Sequence, residues 1–273
     1  MSRNRNRGQR GFALLIVLWT LAFLSLIGAA LVATSRQDTQ RARNLVDGAA
    51  AEAAADGAVQ QAIYALLDPS ARRWRPDGTA HLLRSGQNRI EVRIENENSK
   101  VNPNFAPVEL LQAVMMELAV SSSTAARLAA AIADWRTQGD QPLPLGAKAP
   151  QYAAAGRDYA PPGASFESLD ELGAVLGMTP ELLARLKPHL TLYSEADPDG
   201  STTDPVVAAA LGAKARAASR RNADEGSQVA TVSVVVRGPR RTGFSERVIV
   251  RTNALDGIRR HEILLREPVA MPG

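Results

Sequence analysis

The chain has 273 residues, no cysteine and a formal net charge of +4. The missing cysteines exclude a disulfide framework, a thiolate nucleophile and a Cys-based zinc site. Arg3, Arg5, Arg7 and Arg10 account for the whole of the net charge, so the remainder is balanced and the high pI is no argument for nucleic-acid binding.

Those arginines form a leader, residues 1–11, with no acid in it and Gly11 at its end. An apolar run then starts at Phe12 and continues to about Ser35 without a charge. It is roughly 24 residues, or about 36 Å of helix, against a bilayer core of about 30 Å. The run at 12–35 therefore predicts a transmembrane helix. The positive-inside bias puts residues 1–11 in the cytoplasm and the chain beyond about residue 36 outside. Three readings fit this stretch. It could be a cleaved secretory signal, for which Gly28, Ala29 and Ala30 supply small residues, although the apolar core is long for one. It could be a simple signal anchor. Or the leader is cut between Gly11 and Phe12, so that the helix stays on the mature chain.

Residues 36–67 contain no proline and much alanine. Val46, Ala50, Ala53, Gly57, Gln60, Tyr64 and Leu67 recur at alternating spacings of four and three, which marks one face of a helix. A single helix from residue 12 to 67 is expected, about 84 Å long. Its lower half would sit in lipid or against other subunits, and the seam Val46, Ala50, Ala53 and Gly57 would lie on a soluble domain. Such small residues allow close approach. Gly48 and Gly57 are the expected bends, and Asp68-Pro69 ends the helix.

The turn signal Arg75-Pro76-Asp77-Gly78 is followed by strands at 79–84 and 89–95 across Ser85-Gly86-Gln87-Asn88. In the second strand Ile90, Val92 and Ile94 alternate with Glu91, Arg93 and Glu95, giving one buried and one wet face. The polar run from Glu95 to Asn104 reads as a turn whose Asn side chains cap the next helix.

Residues 105–215 change to helix after helix. Pro107 opens a helix at 108–119, and Ser121 to Thr124 cap another at about 125–135. Residues 137–162, rich in Pro and Gly, read as a long ordered loop. Ser168-Leu169-Asp170-Glu171 is a capping box. Thr179-Pro180-Glu181 places an N-cap, an N1 proline and an acid at a further helix start. With the turn Leu176-Gly177-Met178, residues 168–192 form a helix, glycine turn and helix. Residues 205–211 add one more helix.

Strand patterns return at 229–237, 245–252 and 259–266, joined by turns at 238–243 and 253–257. With the early hairpin they make one antiparallel sheet. The expected fold is α+β. Residues 36–104 and 216–273 form one α+β domain on the long helix (pilin-like by the resemblance given below), interrupted by an all-α insertion at 105–215 that contains a helix-hairpin-helix-like unit.

Catalytic patterns are lacking. His81, His189 and His261 lie far apart and outside any HExxH or HxH spacing. Gly243-Phe244-Ser245-Glu246-Arg247 lacks the second glycine of a nucleophile elbow. There is no Walker A and no GxGxxG motif, so the chain does not read as an enzyme.

Three segments carry a family resemblance: Arg10-Gly11-Phe12 with Ala13 to Trp19, Asp134-Trp135-Arg136, and the stretch from Phe166 through Thr179. The segment around Lys100-Val101-Asn102-Pro103-Asn104 adds to it. Together they resemble the minor pseudopilin K family of type II secretion systems over nearly the whole chain, with 194–227 matching less well. The resemblance implies a prepilin-type leader cut between Gly11 and Phe12, with possible methylation of Phe12. It also implies a place at the tip of a periplasmic pseudopilus whose assembly the subunit helps to initiate. Pilins carry a Glu at the fifth mature position. Here that position is Ile16, a departure which the K family shares. A membrane carboxylate is costly unless paired, and a first-in subunit has no predecessor to pair with. The implied partners are minor pseudopilins I and J, then H, with the inner-membrane secretion platform and the prepilin peptidase. The resemblance also implies calcium in the helical domain, but Lys148 stands where the family usually has Glu, and spacing assigns no ligands. A reading from another class is a membrane-anchored nucleic-acid binder using residues 168–192. Asp170, Glu171 and Glu181 around that turn oppose it, because an acidic face repels a polyanion.

Overall fold

The computed structural model describes residues 7–70, 72–195, 197–198, 202–218, 228–255 and 258–271. The N-terminal helix α1 spans Arg7–Leu67, 61 residues. It runs unbroken through Gly48 and Gly57, the two positions expected to bend. Five strands follow: β1 (Asp77–Ser85), β2 (Asn88–Asn96), β3 (Gln228–Arg237), β4 (Gly243–Leu255) and β5 (Ile258–Pro268). They form one sheet in the order β1-β2-β3-β4-β5, every neighbouring pair antiparallel. The α+β class and the single sheet match the sequence reading. The hairpin register is Ser85 opposite Asn88, with Gly86 at φ +56 supplying the left-handed turn residue.

The helical segment leaves after β2 and returns at β3, two strands that are adjacent in the sheet. It consists of α2 (Val108–Glu117), α3 (Ser122–Arg136), α4 (Ala149–Ala154), α5 (Pro180–Leu186) and α6 (Pro205–Ala218), with short 3-10 turns between. Three expectations change here. The 137–162 stretch contains α4, where Lys148 is the N-cap and Pro150 stands in the first turn. Residues 169–174 form a 3-10 helix rather than an α-helix, although the Ser168 and Glu171 capping box is present. The helix expected at 205–211 extends to Ala218 and breaks at Gly212 (φ 69).

Two separate cores result. In the helical segment Leu111, Met115, Leu128, Ile132, Tyr152, Leu172 and Leu186 are almost completely buried. In the pilin-like part Ala51, Ala55, Ala58, Val59, Ala62, Ile63 and Leu66 of α1 pack on Ile90, Val92, Ile94, Val232, Val234, Val236, Val248 and Val250. Each large apolar side chain buried there contributes about 1.5–3 kcal/mol.

This face is not the one expected. Val46, Ala50, Ala53 and Gly57 are all exposed, as are Gln60 and Tyr64. The reason lies in composition. Residues 49–58 are so rich in alanine that two neighbouring stripes both read as apolar, and only Val59, Ile63 and Leu66 mark the one that buries more surface. The seam is therefore turned away from its own sheet.

Candidate functional site

The outward face of α1 is the first candidate surface. Leu45, Val46 and Tyr64 are 75%, 68% and 78% exposed, with Ala50, Ala53 and Gly57 between them. A Cβ added at Gly57 would meet nothing within 4 Å, so the chain's own packing does not require this glycine. Lower on the same helix Phe12, Leu15, Ile16, Trp19 and Phe23 are all at least half exposed. Among the described residues, no helix is long and apolar enough to cross a membrane. Leader residues 1–6 lie outside the described residues, as do the side chains of 7–11, 13 and 30–38.

The second candidate is the junction between sheet and helical insertion. The run 95–104 does not cap the next helix. Pro107 stands at the N-cap of α2 without a side-chain cap. The polar side chains are spent on long-range ties instead. Glu97 is buried, and its Oε1 accepts from Lys100 Nζ at 2.7 Å and from Thr231 Oγ1 on β3 at 2.7 Å. Asn98 Oδ1 accepts from Val229 N at 3.2 Å. Asn102 Nδ2 donates to Ser194 O at 2.7 Å. Asn104 takes both backbone groups of Phe166, accepting from its N–H at 2.7 Å and donating to its C=O at 3.0 Å. Between them Val101 forms a parallel bridge with Leu190. A buried backbone group left unpaired would cost about 1–3 kcal/mol, so each asparagine pins a loop that would otherwise leave such a group orphaned.

Asp134, Trp135 and Arg136 close the far side of that junction. Arg136 Nη1 donates to Pro103 O at 2.5 Å and Nη2 to Ala106 O at 2.7 Å, binding the end of α3 to the segment that enters α2. Burial lowers the pKa of Arg136, with the Asp197 charge opposing. Trp135 stacks on Phe166 with centroids 5.8 Å apart and planes 7° from parallel. Asp134 is 1% exposed, and both carboxylate oxygens accept from Leu143 N at 3.1 Å. A Cβ on Gly146 would stand 1.9 Å from Asp134 Oδ2, so position 146 must be glycine for the loop to lie this close.

The calcium implied by the family resemblance can be tested on this donor set. Calcium takes about six to eight oxygens, several of them carboxylate. Among the described residues no three acidic or His side chains group to hold a metal ion. The Asp134 carboxylate is occupied by a backbone N–H. Lys148, 4% exposed, places its ammonium on Asp134 O at 2.6 Å and on Thr137 O. A cation is already built into the chain here, and the residues present do not fit a calcium ion.

The remaining candidates separate. His81 stacks on Trp74 with centroids 3.9 Å apart, and His189 Nδ1 lies 2.7 Å from Asp204 Oδ2. In the 168–192 unit Gly177 makes the turn at φ +91. Its two following cations are engaged: Lys187 with Asp170 at 2.5 Å, and Arg185 with Leu118 O at 2.9 Å. Sequence reasoning missed the contacts of Asn104 and Lys148 and the close approach at Gly146, because their partners lie 62 residues away or across a folded loop.

Replacing Arg136 by Met removes two charge-assisted hydrogen bonds and strands two carbonyls, at a cost of about 1–3 kcal/mol. The helical insertion should then unfold at a lower urea concentration, while hydrogen-exchange protection at sheet amides 90–94 stays unchanged. Equal loss of protection in the sheet would show that the two cores unfold as one unit.

Comparison with known proteins bears on these features. The family model described as "Type II secretion system (T2SS), protein K" matches residues 88–195, the span from β2 through the junction and most of the helical insertion. The type II secretion system protein K of Klebsiella pneumoniae is 27% identical over 213 residues, which is 70% of this chain and 64% of that protein, just under two thirds of its length. The fold is similar to a chain in the crystal structure of the GspK-GspI-GspJ complex from the enterotoxigenic Escherichia coli type 2 secretion system. That likeness has a TM-score of 0.59 and 15% identity, and it covers 86% of this chain and 99% of that one. Residues 88–195 thus match the type II secretion system protein K family model, and most of the chain shares its fold with a chain of the GspK-GspI-GspJ complex.

Proposed function

We propose that the chain is a minor pseudopilin at the tip of the type II secretion pseudopilus, where it helps to start assembly for the export of folded proteins across the outer membrane. The observation that carries this reading is the helical insertion between adjacent strands β2 and β3, beside a helix whose outward face is unpartnered. A pilin-like subunit stacks through its long helix and needs a small head. An insertion of about 110 residues, near 105–215, has a radius of gyration of about 13 Å by itself. Within a shaft that bulk would collide with the subunit above; at the tip nothing lies above it. Ile16 agrees, since a first-in subunit meets no earlier N-terminal amine for a Glu to neutralise. No enzymatic role is assigned.

In this reading residues 12–35 anchor the chain in the inner membrane, the bulk of it stands in the periplasm, and the secretion platform receives it. Minor pseudopilins I and J pack on the exposed face of Val46, Ala50, Ala53 and Gly57, with H following. The chain of similar fold comes from a complex of GspK, GspI and GspJ, which supports that choice of partners.

Three outcomes are expected. Immunogold labelling of the pseudopilus should mark one end only; label along the whole shaft would overturn the tip role. Because Ala53 is exposed, Ala53→Trp should leave the chain folded yet lower co-purification of I and J by about tenfold or more, a loss of about 1.4 kcal/mol. Unchanged co-purification would remove this face from the assembly. Mass spectrometry of the membrane-extracted protein should find Phe12 at the N-terminus after prepilin peptidase cleavage, and a start at Met1 or near Ala30 would refute that processing.

A further inference from the structure

The structure assigns Lys148 as the resident cation of the helical insertion: its tethered ammonium does the bridging that a calcium ion would otherwise supply, and the insertion folds without divalent ions. This inference is independent of the tip reading.

The geometry is local to α3 and the loop that follows it. Residues 137–148 turn back over the C-terminal end of α3, where the helix leaves carbonyls unpaired and its dipole is negative. The Asp134 carboxylate, 1% exposed, is buried at the same place. It accepts from Leu143 N but has no cation within ion-pair distance among the described residues. Burying this much negative potential requires a positive charge nearby. Lys148 provides it. The side chain is 4% exposed and its Nζ donates to Asp134 O at 2.6 Å and to Thr137 O, one carbonyl inside α3 and one in the loop.

The backbone of Lys148 is held for this purpose. It is the N-cap of α4, and its amide donates to Gln151 Oε1 at 3.0 Å. Gly146, two residues earlier, is where the loop presses on the Asp134 carboxylate. A metal ion would need this ammonium displaced and several more oxygens brought in. A lysine in this position needs neither an ion from solution nor carboxylates to hold it, and it cannot be chelated away.

The test uses the full chain extracted in detergent, with thermal unfolding followed through tryptophan fluorescence in calcium chloride and in chelator. The wild type should have the same midpoint in both. Lys148→Met should lose about 5–10 °C in both. A wild-type midpoint that rises with calcium would overturn the inference. So would a Lys148→Met midpoint equal to the wild type. If Lys148→Met fails to fold, the wild-type comparison still decides.

Discussion

The pilin-like part depends on how closely α1 can approach the sheet. Ala51, Ala55, Ala58 and Ala62 put almost nothing but backbone against the strands. The valines of β3 and β4 and the alternate residues of β2 fill the space between. A helix of larger side chains would stand farther off, and the β-branched strand residues would lose their contacts. Charges at the edges set the position along the helix. Arg240 in the β3–β4 turn pairs with Asp47 at 2.7 Å. Arg266 of β5 reaches Asp56 of α1 and, at 2.8 Å, the buried Glu246 of β4. Burial, and after it the Glu52 carboxylate, push the Glu246 carboxyl above its ordinary range, so Arg266 is the counter-charge that lets an acid face the helix.

Among the described side chains, this close packing leaves the outward face of α1 uncovered. One stripe is committed to the chain's own sheet, and the neighbouring stripe of Val46, Ala50, Ala53 and Gly57 is bare. Large insertions between neighbouring strands are tolerated because closing a longer loop costs little more than closing a short one. The insertion carries its own apolar core. It needs only a defined attachment, and polar side chains provide that: Glu97 on Thr231, Asn98 on Val229, Asn102 on Ser194, Asn104 on Phe166 and Arg136 on the Pro103 and Ala106 carbonyls. Hydrogen bonds are directional, so such a junction fixes orientation where apolar contact alone would let the units slide.

Much was legible along the chain because the signals are local. The alternation in β2, the turn at Gly86, the Ser121 and Thr179 caps and the Ser168 to Glu171 capping box act within a few residues, and each was found where the pattern put it. The single antiparallel sheet followed from the short turns, while the pairing of β2 with β3 across the long excursion appeared only in the structure. The 3-10 form of 169–174 was not legible, since a capping box serves α and 3-10 turns alike. Nor was α4, whose six residues sit inside a Pro- and Gly-rich stretch.

By itself, then, the sequence determined the strands, the longer helices and the α+β class, because each depends on periodicity, capping or a short run of residues. Tertiary structure decided which alanine stripe of α1 is buried, because that choice depends on the total surface the sheet can cover and not on spacing along one helix. It also turned Asn102 and Asn104 from expected helix caps into ties across the junction, and it placed the Lys148 ammonium on the end of α3. Those roles depend on where chain segments far apart in sequence, or joined through a folded-back loop, meet in space.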